Sequence, residues 1–206
     1  MKKTLGVLFA WFIVVFSVGV TANQYKEGTH YLKLGDAAFK APNSVVKIYS
    51  TNCPYCYKYE KAVMPSFIKN LPEGTAYDSY HIKNKPPFGE EKASVIAVTR
   101  VLDENKYKQV KLGYYEQLHD QKKKFSNSDE AINFGLELAG ISRDTFDESL
   151  NSKAVQTMLT EWENGMEIAR RQGVPAIVVN GQYVILTSSI RNMKMLDELA
   201  AELLTK

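Results

Sequence analysis

The 206-residue sequence predicts an α/β fold in which a βαβ unit and a ββα unit are separated by a helical insertion. Three observations predict this order. A β-branched and aromatic run at residues 45–49 leads directly into a segment with helical spacing, and a second strand-like run follows it. From about residue 86 to Gly173 the apolar residues recur at helical spacing without a strand signal. Two more strand-like runs and an amphipathic helix then close the chain.

The elements before the insertion follow from local residue types. Residues 29–34 form a short, weakly alternating candidate strand, and the run 45–49 is bounded on both sides by turn-forming residues. Helical spacing extends over residues 53–70, and Pro65 is expected to kink that helix. Residues 76–82 form the next predicted strand.

The insertion and the end of the chain are assigned in the same way. Apolar residues predict three helical runs in the insertion, at residues 93–101, 131–138 and 155–169. Asn180-Gly181 lies between two apolar runs, which is the strongest short signal for a hairpin with a type I′ turn. An amphipathic helix is predicted over residues 189–204.

The N-terminus predicts a secretory signal peptide. Two lysines precede an apolar run from Leu5 to Val20, and Val20-Thr21-Ala22 is a small-residue cleavage site. The alternative is a membrane anchor, but the run is shorter than the ~20 residues that a spanning helix needs. We therefore expect residues 1–22 to be removed and the mature protein to be exported. Outside the cytosol a disulfide can persist.

Composition excludes several other classes. A formal net charge of +3 does not by itself indicate nucleic acid, and no nucleic-acid partner is expected. Two cysteines cannot form a Cys₄ zinc site, and the three histidines show no metal-ligand spacing, so we expect no metal and no bound cofactor.

Both cysteines of the chain lie in the motif Cys53-Pro54-Tyr55-Cys56, which follows a strand and begins a helix. A C-x-x-C motif in that setting is typical of a thioredoxin-like redox site. Unsatisfied N–H groups and the helix dipole at a helix N-terminus favour a thiolate. Cys53, at the exposed end, should therefore attack, and Cys56, one turn further in, should resolve the mixed disulfide. Pro54 suits the first turn of a helix.

Other roles for the cysteine pair remain open at this point. A structural disulfide is possible in an exported binding module, although closing so short a loop stabilises the fold little. Haem attachment would need a histidine where Tyr57 stands. A metal-carrying chaperone with two thiolates lacks a nearby histidine or methionine cluster.

A second signal is the segment Gly173-Val174-Pro175-Ala176 before a predicted strand. Taken alone it is an ordinary loop proline at a strand start. Thioredoxin-like proteins, however, hold a cis proline against the cysteine pair, and cis X-Pro bonds are specific features of folded proteins. In that arrangement the backbone of Val174 can hold an extended substrate as an added strand.

Several stretches together resemble the DsbA family of bacterial periplasmic thiol:disulfide interchange proteins. They are residues 25–28 with Tyr31, residues 53–60, residues 71–74, Tyr80-His81, and residues 173–183. The resemblance covers nearly the whole chain after residue 22. It implies a thioredoxin fold with a helical domain inserted between its βαβ half and its ββα half. We expect the thioredoxin-like domain at residues 23–86 and 161–206, and the helical domain at 87–160.

The resemblance also implies a function. A member of this family is a periplasmic dithiol oxidase that donates its Cys53–Cys56 disulfide to reduced exported proteins and needs no bound cofactor. A quinone-linked membrane oxidase of the DsbB or DsbI kind would reoxidise it, and we expect a monomer. Cys53 would be the nucleophile, Cys56 the resolving thiol, and Val174-Pro175 the substrate loop. A glutaredoxin-like reductase and a disulfide isomerase are the alternatives within the same chemistry.

Two residues depart from the family pattern. Tyr55 stands where a histidine is typical, and Pro-Tyr is also the dipeptide of the less oxidising glutaredoxins. Lys47 stands in the strand beneath the cysteine pair, where an acidic residue is usual. A buried cation near the sulfurs would stabilise the thiolate and make the disulfide more oxidising. A lysine on a solvated face would have no such effect.

Basic residues near the motif suggest a more specific relationship. They are Lys58, Lys61, Lys83, Lys85 and residues 122–124. Such residues usually form a solvated helix surface. If they instead form a basic face around the redox site, the chain resembles the DsbL branch of the family, which has its own membrane oxidase and an arylsulfate sulfotransferase as client.

Overall fold

The computed structural model describes residues 24–206. The predicted signal peptide, residues 1–22, lies outside this range. None of the helices within it combines the length and the apolar character needed to cross a membrane.

Five strands form one mixed sheet in the order β1-β5-β4-β2-β3. They are β1 (Tyr31–Lys33), β2 (Ser44–Tyr49), β3 (Ala76–His81), β4 (Ala176–Val179) and β5 (Tyr183–Ile185). The neighbours β2 and β3 are parallel, as the βαβ unit requires, whereas β4 is antiparallel to both β2 and β5. All six residues of β2 are buried, because this strand is flanked by two others and covered on both faces. The predicted strand order along the chain is confirmed.

Eight α-helices accompany the sheet in this part of the chain. They are α1 (Pro54–Ala62), α2 (Met64–Lys69), α3 (Gly89–Leu102), α4 (Glu104–His119), α5 (Ser128–Ala139), α6 (Arg143–Leu150), α7 (Lys153–Gln172) and α8 (Met193–Leu204). The helical insertion holds five of them, α3 to α7, where the sequence predicted three runs. Helix α4 was not predicted, because its buried face consists mainly of tyrosines and a lysine rather than aliphatic residues.

The single kinked helix predicted over residues 53–70 is two helices. Helix α1 ends at Ala62, Val63 has φ of −110°, and α2 begins at Met64. Pro65 is the cause, because it has no N–H to donate to the carbonyl four residues earlier and its ring crowds that carbonyl.

The hairpin prediction is confirmed. Asn180 and Gly181 have φ of 54° and 65°, and both values are positive, as a type I′ turn requires. The N–H of Gln182 donates to the carbonyl of Val179 at 3.0 Å and closes the turn.

Two hydrophobic clusters cover the two faces of the sheet. Val46 and Ile48 of β2 belong to the larger cluster, which includes α3, α5 and α7. Val45, one residue away and on the opposite face, packs with α2 and α8. Lys47 shares this second face by pleat parity. Helix α7 contacts both the sheet and α3 and passes through residue 160 without a break, so the predicted domain boundary there stays a prediction.

Candidate active site

The two cysteines lie at the N-terminus of α1. Cys53 is the N-cap residue with extended backbone, and its sulfur accepts a hydrogen bond from the N–H of Cys56 at 3.2 Å. Pro54 occupies the first turn, as predicted. Both cysteines are free thiols here. Cys53 is 4% exposed and Cys56 is fully buried. Tyr55 is 64% exposed and lies at the surface beside this buried pair.

The surroundings displace the pKa values of the two thiols in opposite directions. The Cys56 thiol donates a hydrogen bond to the Cys53 sulfur. This hydrogen bond acts together with the N–H groups of Cys56 and Tyr55 and the charge of Lys85. Their combined effect outweighs burial and lowers the pKa of Cys53 to about 6. Burial raises the pKa of Cys56 far above its ordinary value, although the positive charge of Lys47 acts in the other direction. At neutral pH the pair is therefore one thiolate and one thiol.

The Val174-Pro175 segment lies against the same sulfur. The Val174 carbonyl oxygen is 3.2 Å from Cys53 Sγ, and the Val174–Pro175 peptide bond is cis, as expected. A groove of about 580 Å³ opens between the cysteine motif, this segment and the chain around residues 82–86. Two basic residues, Lys85 and Arg170, line this groove together with Cys53. Cys53 is therefore the cysteine of the pair that lines this groove.

Lys47 is buried and belongs to a group of three charges. Its ammonium is 2.5 Å from Glu60 Oε2, and the ammonium of Lys111 is 2.6 Å from Glu60 Oε1. Burial alone would raise the pKa of Glu60, but the two ammonium groups hold it below its ordinary value. The three side chains, here called the charge triad, therefore carry one net positive charge under α1.

The sequence placed Lys47 beneath the cysteine pair but did not identify its partners. Glu60 follows Cys56 by four residues on α1, and this spacing puts both on one face of the helix. That spacing could have revealed Glu60. Lys111 comes from α4 and carries no local signal, because its contact with Glu60 joins elements far apart in the sequence.

An aromatic layer from α4 covers the side of Cys56. Tyr115 belongs to the same buried cluster as both cysteines, and its ring stacks on that of Tyr57 with centroids 5.1 Å apart. His119 stacks on Tyr57 at 5.7 Å, and its Nε2 lies 2.9 Å from the Thr51 carbonyl oxygen. His81 packs edge-on against the ring of Tyr49, and burial lowers the pKa of His81 to about 3. In residues 24–206 no three His, Cys, Asp or Glu side chains cluster as metal ligands would.

The predicted basic residues are not all brought together. Lys61 lies 4.0 Å from Asp120, and Lys83 lies 2.7 Å from Glu163, so both charges are compensated. Lys85 lines the groove at Cys53, and the ammonium of Lys58 is 5.4 Å from the centroid of the Tyr55 ring. Neither Lys85 nor Lys58 forms an ion pair with a carboxylate of residues 24–206. The basic face beside the redox site is therefore smaller than the sequence suggested.

Comparison with known proteins agrees with this geometry. A family described as Thioredoxin matches residues 30–198. The chain is 34% identical to a thiol:disulfide interchange protein DsbL of Escherichia coli O6:H1, over 92% of this chain and 91% of that protein. It is 32% identical to the DsbA protein of Yersinia pestis, over 94% and 95%. The crystal structure of DsbL from Salmonella enterica serovar Typhimurium matches with a TM-score of 0.84 and 33% identity, over 90% of this chain and all of that one.

The pKa of Cys53 can be measured directly in the reduced protein. The ultraviolet absorbance of the thiolate should appear with a midpoint at about pH 6. Cys53→Ser should remove this transition. Cys56→Ala should move its midpoint to higher pH, because it removes the thiol that donates to the thiolate. A midpoint near the ordinary cysteine value of about 8.5 in the unsubstituted protein would contradict this geometry.

Proposed function

The chain belongs to the thioredoxin-fold family of thiol:disulfide interchange proteins that includes DsbA and DsbL and is a thiol:disulfide oxidoreductase, and we propose that it acts in the periplasm as a dithiol oxidase. It donates its Cys53–Cys56 disulfide to reduced exported proteins. The main observation in favour of the oxidising direction is the position of the Cys53 sulfur at the N-cap of α1, where it accepts a hydrogen bond from the Cys56 N–H. Such hydrogen bonds lower the pKa of Cys53, and a stabilised thiolate favours the reduced pair and makes the disulfide a stronger oxidant.

The reaction has two exchange steps. A substrate thiolate attacks the Cys53 sulfur, the Cys53–Cys56 bond breaks, and its electron pair leaves with Cys56, which takes up a proton. A second substrate thiolate then attacks the substrate sulfur of the mixed disulfide and expels Cys53 as a thiolate. The substrate loses two electrons and forms a disulfide, and the cysteine pair gains them. Cys53 needs no proton in order to leave at neutral pH, because its pKa is about 6.

The groove beside Cys53 supports binding of an extended substrate. The Val174 carbonyl lies 3.2 Å from the attacked sulfur and can accept a hydrogen bond from a substrate N–H. A substrate held this way would add a short strand beside Val174-Pro175, and its cysteine would reach Cys53. This contact supports a substrate-binding role for both residues.

The partners follow from the family and from the charge at the groove. DsbA and DsbL relatives are periplasmic, and the predicted signal peptide fits that compartment. The reduced protein must pass its electrons to another oxidant, for which a quinone-linked membrane oxidase of the DsbB or DsbI kind is the proposed partner. Similarity to DsbL, together with Lys85 in the groove beside Cys53, supports an arylsulfate sulfotransferase among the clients.

Trapping in cells tests the oxidase function. Cys56→Ala should accumulate mixed disulfides between Cys53 and exported proteins, because no resolving thiol remains, whereas Cys53→Ala should accumulate none. The unsubstituted protein should be oxidised in normal cells and reduced in cells without the membrane oxidase. A pair that stays oxidised there would be a structural bridge. A pair found reduced in both kinds of cell would indicate a reductase, which the Pro54-Tyr55 dipeptide favours as second candidate.

We propose a specific role for Lys47 in the first step. The thiolate expelled at that step is Cys56, which is fully buried and holds its proton strongly. The charge of Lys47 favours the anionic form of Cys56, and Glu60 holds the Lys47 ammonium in place. Because the charge triad keeps one net positive charge, it stabilises the Cys56 thiolate while that thiolate waits for a proton. Lys47 therefore acts on Cys56 rather than on Cys53.

Lys47→Met tests this assignment. The oxidised variant should react with dithiothreitol about fivefold more slowly, since one screened charge is worth about 1 kcal/mol. The Cys53 titration should not move, and Lys47→Arg should restore the rate. Glu60 keeps Lys111 as counter-ion in the variant, and Lys69→Met, on the exposed end of α2, is the matched control. A shifted Cys53 midpoint with an unchanged rate would show that Lys47 acts on Cys53 instead.

A further inference from the structure

A buried lysine outside the charge triad lies under the loop that precedes the cysteine motif. Lys92 of α3 is 1% exposed, and among residues 24–206 it forms no ion pair with a carboxylate. Its ammonium donates to Asn52 Oδ1 at 2.5 Å and to the Pro87 carbonyl at 3.4 Å. It also lies 5.1 Å from the centroid of the Phe125 ring. Burial lowers the pKa of Lys92 to about 8, so this position costs stability that a leucine would not cost.

Asn52 connects this lysine to a second segment of chain. While Oδ1 accepts from Lys92, Nδ2 donates to the carbonyls of Lys85 at 2.7 Å and Pro87 at 2.8 Å. The orientation of the amide is unambiguous, because the oxygen faces an ammonium and the nitrogen faces two carbonyls. Asn52 also directly precedes Cys53. One side chain therefore ties the cysteine loop, the segment around Lys85 and the helical insertion together.

The segment held in this way forms a wall of the substrate groove. Residues 83–87 belong to no helix or strand and form no backbone–backbone hydrogen bond within the described part of the chain, so their backbone depends on other contacts for its position. Asn84, Lys85 and Pro86 line the groove together with Cys53. Asn52 binds the carbonyls of Lys85 and Pro87, and these two hydrogen bonds restrain the backbone of Lys85 on the side away from the groove. The side chain of Lys85 remains available at the groove.

We propose that Lys92 and Asn52 form a buried clamp that positions Lys85 at the groove, where its ammonium recognises an acidic side chain next to the substrate cysteine. This inference rests on the proposed function and names a preferred substrate class for it. Lys92 is a positioning residue, since it does not reach the groove. The absence of an ion pair for Lys85 within the described chain leaves its charge free for a substrate carboxylate. The same charge is among the causes of the lowered pKa of Cys53.

The test is a double-mutant cycle in which each variant's rate of oxidation is measured with two peptides. Each peptide holds a pair of cysteines, and they differ only in an Asp or an Asn beside the first cysteine. The ratio of their oxidation rates, Asp over Asn, isolates recognition of the carboxylate from the reactivity of Cys53. Lys85→Met should lower this ratio about threefold, as expected for one charge at the edge of a binding site. Lys92→Met should lower it similarly, and the double variant no further, because both changes remove the same contact.

Two further variants make the outcome decisive. Asn52→Asp keeps a partner for Lys92 but removes both donors to the carbonyls of the loop, so it should fold and lower the ratio as Lys92→Met does. Lys108→Met removes an exposed lysine of the insertion and should leave the ratio unchanged. An unchanged ratio in folded Lys92→Met or Asn52→Asp, or additive losses in the double variant, would overturn the clamp. If the unsubstituted protein fails to oxidise even the Asn peptide, the proposed function fails, and the clamp with it.

Discussion

Hydrogen bonds from the first turn of α1 converge on the sulfur of Cys53, and the chemistry of the site depends on them. The Cys56 thiol and two backbone N–H groups all donate toward one atom, which the N-cap position places at the positive end of the helix dipole. None of these donors can be removed without breaking the helix or the motif. A thiolate is therefore built into the fold rather than supplied by a neighbouring base.

The burial of Cys56 gives the pair its asymmetry, and the helical insertion contributes to the cluster in which Cys56 is buried. Tyr115 of α4 lies in one buried cluster with both cysteines, and Lys111 of the same helix completes the charge triad through Glu60. Lys92 of α3 reaches the loop in front of Cys53 from another direction. The insertion thus contacts the redox site at three points. Each contact buries a polar group, which costs free energy that an aliphatic residue at the same position would not cost.

Local patterns in the sequence were enough to predict the strand order, the Asn180-Gly181 turn and the cysteine motif at a helix N-terminus. Each of these depends on residues adjacent in the chain, or on the alternation of apolar and polar positions. The contact of Lys111 with Glu60 and the contact between Asn52 and Lys92 could not be predicted in this way. They join segments that are far apart in sequence and meet only after α3 and α4 have packed. The tyrosine-rich stripe of α4 also lacks the aliphatic spacing by which helices are recognised.

The most direct test of the account is the equilibrium of the Cys53–Cys56 pair with glutathione. A thiolate stabilised as strongly as the geometry indicates favours the reduced pair, so the reduction potential should be less negative than about −200 mV. A value more negative than that would place the protein with the glutaredoxins and contradict its assignment as a dithiol oxidase.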